Sequence, residues 1–430
     1  MKQGDALSPT LFAVYINDLA NQIKPLNCGV NCGNEQISIL LYADDIVLLA
    51  ETELDLQKML TCANNWCKKW RLSINEKKTE IMHFKNPAMR TSDFQFGESK
   101  LNYTKYYKCL GFYLDEHMNF IKGTSILTES ANRALGGVIA KTKVLRDLGF
   151  STYSKLYQAC VCPVLDYVAG VWGFKQYPKS EAVHNRAMRY FLGIHKFTPT
   201  LAIMGDMGWE PNEVRWSMHM VRLWNRILGL NSNRIVRKIF EWDILIRGAW
   251  ATDMYDILLR AGYEDHYYNK EKVESMIIKE ILFQNVKDRW ALDILCKPKL
   301  RTYCEIKHVY GPEDYFLYNL PKKKRSLCAQ IRAGILGLHI ETGRYVGTPE
   351  EDRLCGMCDL NEIENEMHFV FYCPFYNSVR KIPFDKVDPN YEFVWLEDYE
   401  KLKRLFQHEI FSFAAFLEKA WAMRRRAIYM

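Results

Sequence analysis

No stretch of this 430-residue chain is long and apolar enough to read as a membrane span. The strongest candidate, YQACVCPVLDYVAGVWGF (157–174), carries Gln158, Pro163 and Asp166 and reads as a buried helix. The opening MKQGDALSPT lacks the apolar core of a secretory leader. There is no internal repeat and no low-complexity tract. A disulfide framework is missing as well: 13 cysteines, an odd number at irregular spacing, fit a reducing compartment. Neither sign of charge dominates. Against 51 acidic residues stand 58 basic ones, a net +7 that is compatible with an anionic partner and does not identify one. The expectation is an intracellular protein, in the nucleus and/or cytoplasm, with no membrane partner.

What is present is ordinary globular composition, 48% hydrophobic and 25% charged, over a length that calls for two to four domains. Ser8-Pro9 reads as a helix start, with Ser8 as N-cap, followed by one apolar face of Leu11, Phe12, Tyr15, Ile16, Leu19 and Ile23. A second amphipathic helix carries Leu56, Met59, Leu60, Ala63, Trp66, Cys67 and Trp70. LSINEKKTEIMHF reads as strand, polar turn and strand, and YYKCLGFYLD (106–115) as a short strand pair. Residues 1–115 are therefore expected to be α+β, with helices on an antiparallel sheet. Residues 125–240 are helical in pattern, and 241–320 are mixed. A basic run, Lys322 to Arg325, precedes a Cys/His segment and a last amphipathic helix ending in Arg424-Arg425-Arg426.

LLYADDIVLLA (40–50) sets two adjacent carboxylates, Asp44 and Asp45, between apolar runs that favour buried strands. Buried carboxylates need a neutraliser, and adjacent ones repel. Two carboxylates at a hairpin tip suit Mg²⁺, which takes oxygen ligands and keeps waters and substrate phosphates in its shell. Two such ions can clamp the attacking and leaving oxygens of a phosphoryl transfer. A solvated Asp-Asp turn without metal is the plainer alternative.

The ordered set KQGDALSPTLFAVYINDL, LLYADDIVLLA, LSINEKKTEIMHF and YKCLGFYLD resembles the later palm motifs of a reverse transcriptase, specifically that of non-LTR (LINE-type) retrotransposons. The resemblance extends through the C-terminal half. It implies an incomplete palm at 1–115, a helical thumb at 116–240, a connector at 241–320, a basic segment with a zinc knuckle at 321–385 and a C-terminal helix at 386–430. It makes Asp44 and Asp45 the catalytic Mg²⁺ ligands, with Tyr42 in the same substrate-contacting box. Gln3 and Gly4 match the loop lining the nascent base pair. Lys78 matches the lysine that stabilises the pyrophosphate leaving group, unless it is a solvated turn lysine. Leu110 and Gly111 match the primer-grip hairpin, unless they are a plain hydrophobic turn. Partners implied are an RNA template, a DNA primer or target and dNTPs.

The family carries a further metal-binding aspartate on a strand upstream of Gln3-Gly4, and this sequence begins just before that motif. The expectation is a C-terminal part of a LINE-type RNA-directed DNA polymerase, inactive alone, with an upstream polypeptide as a candidate partner. The alternative is a non-catalytic RNA- or DNA-binding module derived from such an element.

A second chemistry lies in Cys355-x₂-Cys358-x₉-His368-x₄-Cys373. Three thiolates and an imidazole at this spacing make a closed structural Zn²⁺ site, the alternative being packed thiols and a packed histidine. HFVFYC is expected to be a strand carrying His368 and Cys373. Lys322–Arg325 reads as a solvated charge run or a phosphate contact. His83, His184, His195 and His339 are isolated, and the Trp and Tyr residues of 209–250 sit at core spacing.

Overall fold

The computed structural model describes residues 6–84, 92–145, 147–380 and 395–429. Within these, the chain is mainly helical with short strands, and it divides into two units. One comprises residues 1–124 and 220–273, the other 125–219 and 274–430.

In the first unit, α1 (Ser8–Ile23) buries Ile16, Leu19, Ala20 and Ile23. Ser8 is its first helical residue and Leu7 takes the cap position, one residue earlier than expected. Leu11 and Val14 stay exposed. Helix α2 (Glu53–Trp70) is capped by Thr52, whose side chain accepts from the Asp55 N–H at 3.2 Å, and buries Met59, Leu60, Ala63, Trp66 and Cys67. One carboxylate joins the two helices: Asp18 accepts from Trp66 Nε1 at 2.8 Å and Trp70 Nε1 at 3.1 Å. The Trp66 bond, above all, holds the Asp18 carboxyl below its usual range.

The strands are β1 (Val30–Cys32), β2 (Glu35–Ile37), β3 (Ile39–Tyr42), β4 (Asp45–Leu48), β5 (Glu80–Ile81), β6 (Gln95–Phe96), β7 (Ser99–Lys100), β8 (Asn102–Tyr103), β9 (Tyr106–Cys109) and β10 (Phe112–Asp115). Sequence neighbours β1–β2, β3–β4, β6–β7 and β9–β10 pair antiparallel, and β5 pairs parallel with β8. The α+β class stands, but among the described residues the expected single antiparallel sheet is replaced by separate two-stranded pieces. Residues 72–75 form no strand. Leu72 and Ser73 are exposed, so the segment has no buried face to pair, and the 3₁₀ turn Glu76–Lys78 follows directly. Residues 235–260 belong to this unit, tied to it by the Lys238–Glu35 ion pair at 2.6 Å.

The second unit is helical. The apolar stretch 157–174 is not one helix: it breaks into Phe150–Cys160, Cys162–Leu165 and Ala169–Trp172. Pro163 opens the second piece and Val168 adopts φ 56° before the third. Asp166, in the break, is buried but satisfied by Arg215 Nε at 3.1 Å, Arg215 Nη2 at 2.9 Å and Trp216 Nε1 at 2.8 Å. Burial opposes its charge, yet bonds from His219, Arg215 and Trp216 bring the carboxyl down to about 2. His184, isolated in the sequence, is buried, with Nδ1 2.9 Å from the Tyr157 hydroxyl. Trp209 and Trp216 are core here and Trp224 is core in the first unit, as their spacing predicts, whereas Trp242 and Trp250 are only partly buried. The basic run opens α3 (Lys322–Arg332), where Arg325 is buried and donates to Phe191 O, Leu320 O and Asp147. Helices α4 (His339–Tyr345), α5 (Asp398–His408) and α6 (Ile410–Tyr429) complete the elements used below.

Burial, then the Arg215 charge, push the His184 imidazole from its ordinary 6.5 down to about 3. Below pH 6.5 the unfolded chain therefore binds a proton that the fold refuses. Stability falls with falling pH by up to about 1.4 kcal/mol per unit until the folded value is reached. Asp166 adds loss in the same direction lower down, as pH falls from its ordinary 3.8 through about 2. Urea unfolding between pH 7 and 4 should show the slope, and His184→Gln should flatten it. An unchanged slope in the variant contradicts the assignment.

Candidate metal centres

The aspartate pair sits where the sequence places it, at the end of a tight hairpin. Tyr42 pairs with Asp45, so Ala43 and Asp44 form a two-residue turn, and Ala43 takes φ 50°. A left-handed first turn residue matches the twist of the flanking strands, and a residue with a Cβ is strained there. The premise of buried carboxylates is corrected, however. Asp44 and Asp45 are exposed, as is Tyr42 at 65%, because among the described residues β3 and β4 pair with each other alone and carry the tip clear of the core. Water alone can satisfy these carboxylates; an open tip also leaves room for ions that keep water and phosphate ligands.

A second hairpin lies within electrostatic reach of the first. Leu110 (φ 46°) and Gly111 (φ 88°) make a two-residue turn between Cys109 and Phe112. Leu110 is 45% exposed, so the turn is not a packed hydrophobic one. On β9, burial and then the charge of Asp45 raise the Tyr107 phenol and the Cys109 thiol, and Glu80 adds to the effect on Tyr107. The tip of β3–β4, the start of β5 and strand β9 thus share one neighbourhood. Lys78 lies on the exposed 3₁₀ turn two residues before Glu80. Gln3 and Gly4 lie outside the described residues. Among the described residues, no third histidine, cysteine or acidic side chain joins Asp44 and Asp45 in a metal-binding group. Tyr107, which feels the charges of both Asp45 and Glu80, carries no signal in the sequence, because those two residues lie far from it along the chain.

The Cys/His set does converge. Cys355, Cys358, His368 and Cys373 place one donor atom each within 4.8 Å of one another. Cys355 Sγ is 3.8 Å from Cys373 Sγ, and Cys358 Sγ is 3.4 Å from His368 Nε2. A tetrahedral ion with bonds of about 2.3 Å to sulfur and 2.0–2.1 Å to nitrogen has edges of roughly 3.8 Å and 3.5 Å between such donors. Cys355 and Cys358 lie on a turn in which the Met357 N–H points at Cys355 Sγ at 3.4 Å. His368 and Cys373 are not on a strand. His368–Tyr372 is a wide helical turn closed by the Cys373 N–H on His368 O at 2.8 Å. The reason is burial of consecutive residues: Phe369 and Val370 are both 0% exposed, which an alternating strand with one solvent face would not allow.

The imidazole is oriented from behind: Glu362 Oε2 lies 2.8 Å from His368 Nδ1, which puts the proton there and leaves the Nε2 lone pair toward Cys358. Burial raises the Cys355 and Cys373 thiols, so a bound cation is what would favour their thiolates. The donor set fits a divalent metal in a closed tetrahedral site, with no open position for a reacting ligand.

Residues 1–114 match the family described as reverse transcriptase (RNA-dependent DNA polymerase). The RNA-directed DNA polymerase from the mobile element jockey of Drosophila funebris is 28% identical over 177 residues, 40% of this chain and 19% of that protein. The matched segment is thus similar to the reverse transcriptases of mobile elements. A probable RNA-directed DNA polymerase from transposon BS of Drosophila melanogaster is 25% identical over 240 residues, 52% of this chain and 26% of that one. A Pol polyprotein of the R2 element of Nasonia vitripennis is 44% identical over 61 residues, 14% of this chain and 6% of its own length. The chain therefore spans about a fifth to a quarter of the first two relatives' length. The aspartate hairpin and the β9–β10 turn lie inside the matched reverse transcriptase segment; the Cys/His cluster lies outside it.

Limited proteolysis tests the second centre. The wild-type segment 350–380 should be protected by added Zn²⁺ and cut readily after chelation, whereas Cys358→Ser should be cut in both conditions. Equal resistance in variant and wild type contradicts metal-dependent folding.

Proposed function

We propose that this chain is part of a LINE-type RNA-directed DNA polymerase. In this reading Asp44 and Asp45 supply carboxylates to the catalytic Mg²⁺ site, and unit 2 carries a structural Zn²⁺ at Cys355, Cys358, His368 and Cys373. The observation that carries it is the hairpin that presents Asp44 and Asp45 next to β9, in the order and setting of a reverse transcriptase segment. The reaction joins a DNA primer 3′-hydroxyl to the α-phosphate of a dNTP on an RNA template and releases pyrophosphate. Divalent ions, when bound, offset the charge that builds on the attacking and leaving oxygens. Asp44 and Asp45 hold them at the tip. Lys78 brings positive charge to the pyrophosphate, Leu110 and Gly111 support the primer, and Tyr42, Gln3 and Gly4 line the nascent pair. The setting is intracellular, in the nucleus and/or cytoplasm.

Two carboxylates are too few for a complete two-metal site, and no third joins them among the described residues. The proposal therefore includes an upstream polypeptide of the same element that completes the site. The second reading, a non-catalytic nucleic-acid-binding module, draws on that same shortage. Primer extension decides. The chain alone should extend a primer on RNA feebly or not at all with Mg²⁺ or Mn²⁺. Supplied with the upstream segment, it should extend, and Asp44→Ala should then cost orders of magnitude in rate. Robust extension by the chain alone, lost in Asp44→Ala, would contradict the incomplete site. No extension in any combination, with RNA binding intact, would favour the binding module.

A further inference from the structure

Behind the Cys/His cluster a single carboxylate gathers several elements of the second unit. Glu364 is 1% exposed. Its Oε1 lies 3.7 Å from Cys355 Sγ. Both of its oxygens accept from Arg424 of α6: Nη2 reaches Oε2 at 2.8 Å, and Nη1 reaches Oε1. Oε2 also accepts from the His339 N–H at 2.8 Å, at the first turn of α4. The backbone of Glu364 is fixed as well, its carbonyl accepting from Ile340 at 3.0 Å and its N–H donating to Arg353 O at 2.9 Å. Of the terminal run Arg424-Arg425-Arg426, Arg424 is buried while its two neighbours are exposed.

Three thiolates around a divalent cation leave a net negative charge. A buried carboxylate beside one of those sulfurs would repel it in a low-dielectric core unless it is paired. Arg424 supplies that pairing with a two-pronged guanidinium, the geometry best suited to a carboxylate. Arg380 serves the far side, donating from Nη2 to Cys373 O at 2.7 Å and from Nε to Val370 O at 2.8 Å. The apolar contacts follow the polar ones. Cys355, Cys373 and Phe369 share one core with Phe413, Phe416 and Leu417 of α6, and the Phe369 and Phe416 rings are 6.1 Å apart. We propose that Glu364 and Arg424 are positioning residues of the metal centre, and that metal occupancy thereby governs the seating of the C-terminal helix α6. The proposal rests on the four-ligand reading above.

The test is zinc competition against a chelator on the purified full chain, with Co²⁺ absorption as a report on ligand geometry. Arg424→Met should lower zinc affinity about 10- to 100-fold, the usual cost of losing an outer partner. It should keep the tetrahedral thiolate–cobalt spectrum at saturating metal, which an unfolded variant would lose. Arg424→Lys should recover part of the affinity, and Arg425→Met, which removes an exposed charge from the same helix, should bind as wild type. On the unaltered chain, chelation should speed amide exchange in 410–428 as well as in 350–380. Affinity within about twofold of wild type in Arg424→Met, or α6 exchange unmoved by chelation, would overturn the proposal. A wild-type chain that takes up no zinc would overturn the four-ligand reading and this proposal with it.

Discussion

Three sulfurs and an imidazole nitrogen brought to tetrahedral spacing inside a core are the constraint on which the C-terminal part of the chain depends. Residues 346–380 have only short pieces of regular structure to hold them: the 3₁₀ turns Glu350–Asp352 and Pro374–Tyr376, an isolated bridge between Leu354 and Ile363, the wide turn His368–Tyr372 and a helical turn at 377–380. Two of the donor sulfurs, those of Cys355 and Cys373, nonetheless belong to the same core as α3 and α6. Neutral thiols pack in a core readily, so it is the imidazole of His368 and the carboxylate of Glu364 beside them that call for polar partners there. The Glu362 contact to His368 and the Glu364–Arg424 pair are what the proposed charged centre calls for in its surroundings.

The two centres divide by ligand chemistry. Asp44 and Asp45 offer hard oxygen atoms on an exposed hairpin, where an ion can keep water and exchange it for phosphate. The cysteine cluster offers soft sulfur in a buried, four-cornered cage with no place for a substrate. Openness suits turnover and closure suits architecture. The strain at Ala43 belongs to the first kind of site, since a residue held at φ 50° fixes the angle at which both carboxylates leave the turn.

Much of this was legible in the sequence, and the failures have physical causes. Helices with one apolar stripe, such as α2, and the strands around Ala43-Asp44 and Leu110-Gly111 follow from local periodicity and turn chemistry. Ligand spacing located the Cys/His cluster without the fold. The burial of Asp44 and Asp45 was misjudged because apolar runs report propensity, whereas exposure depends on which strands a hairpin pairs with. HFVFYC reads as a strand in the sequence but is not one, because His368, Phe369 and Val370 are buried in succession, so no two-residue period marks a solvent face. Glu364 and Arg424 carry no signal in the sequence, because the pair they form spans 60 residues of chain. Asp166 looked like an interruption of an apolar helix; its partners Arg215 and Trp216 lie 49 and 50 residues away.

X-ray absorption at the zinc edge on the purified chain addresses the central claim most directly. The account predicts one zinc per chain with three sulfur neighbours at about 2.3 Å and one nitrogen at about 2.0–2.1 Å. A chain without stoichiometric zinc, or a first shell of oxygen and nitrogen alone, would contradict it.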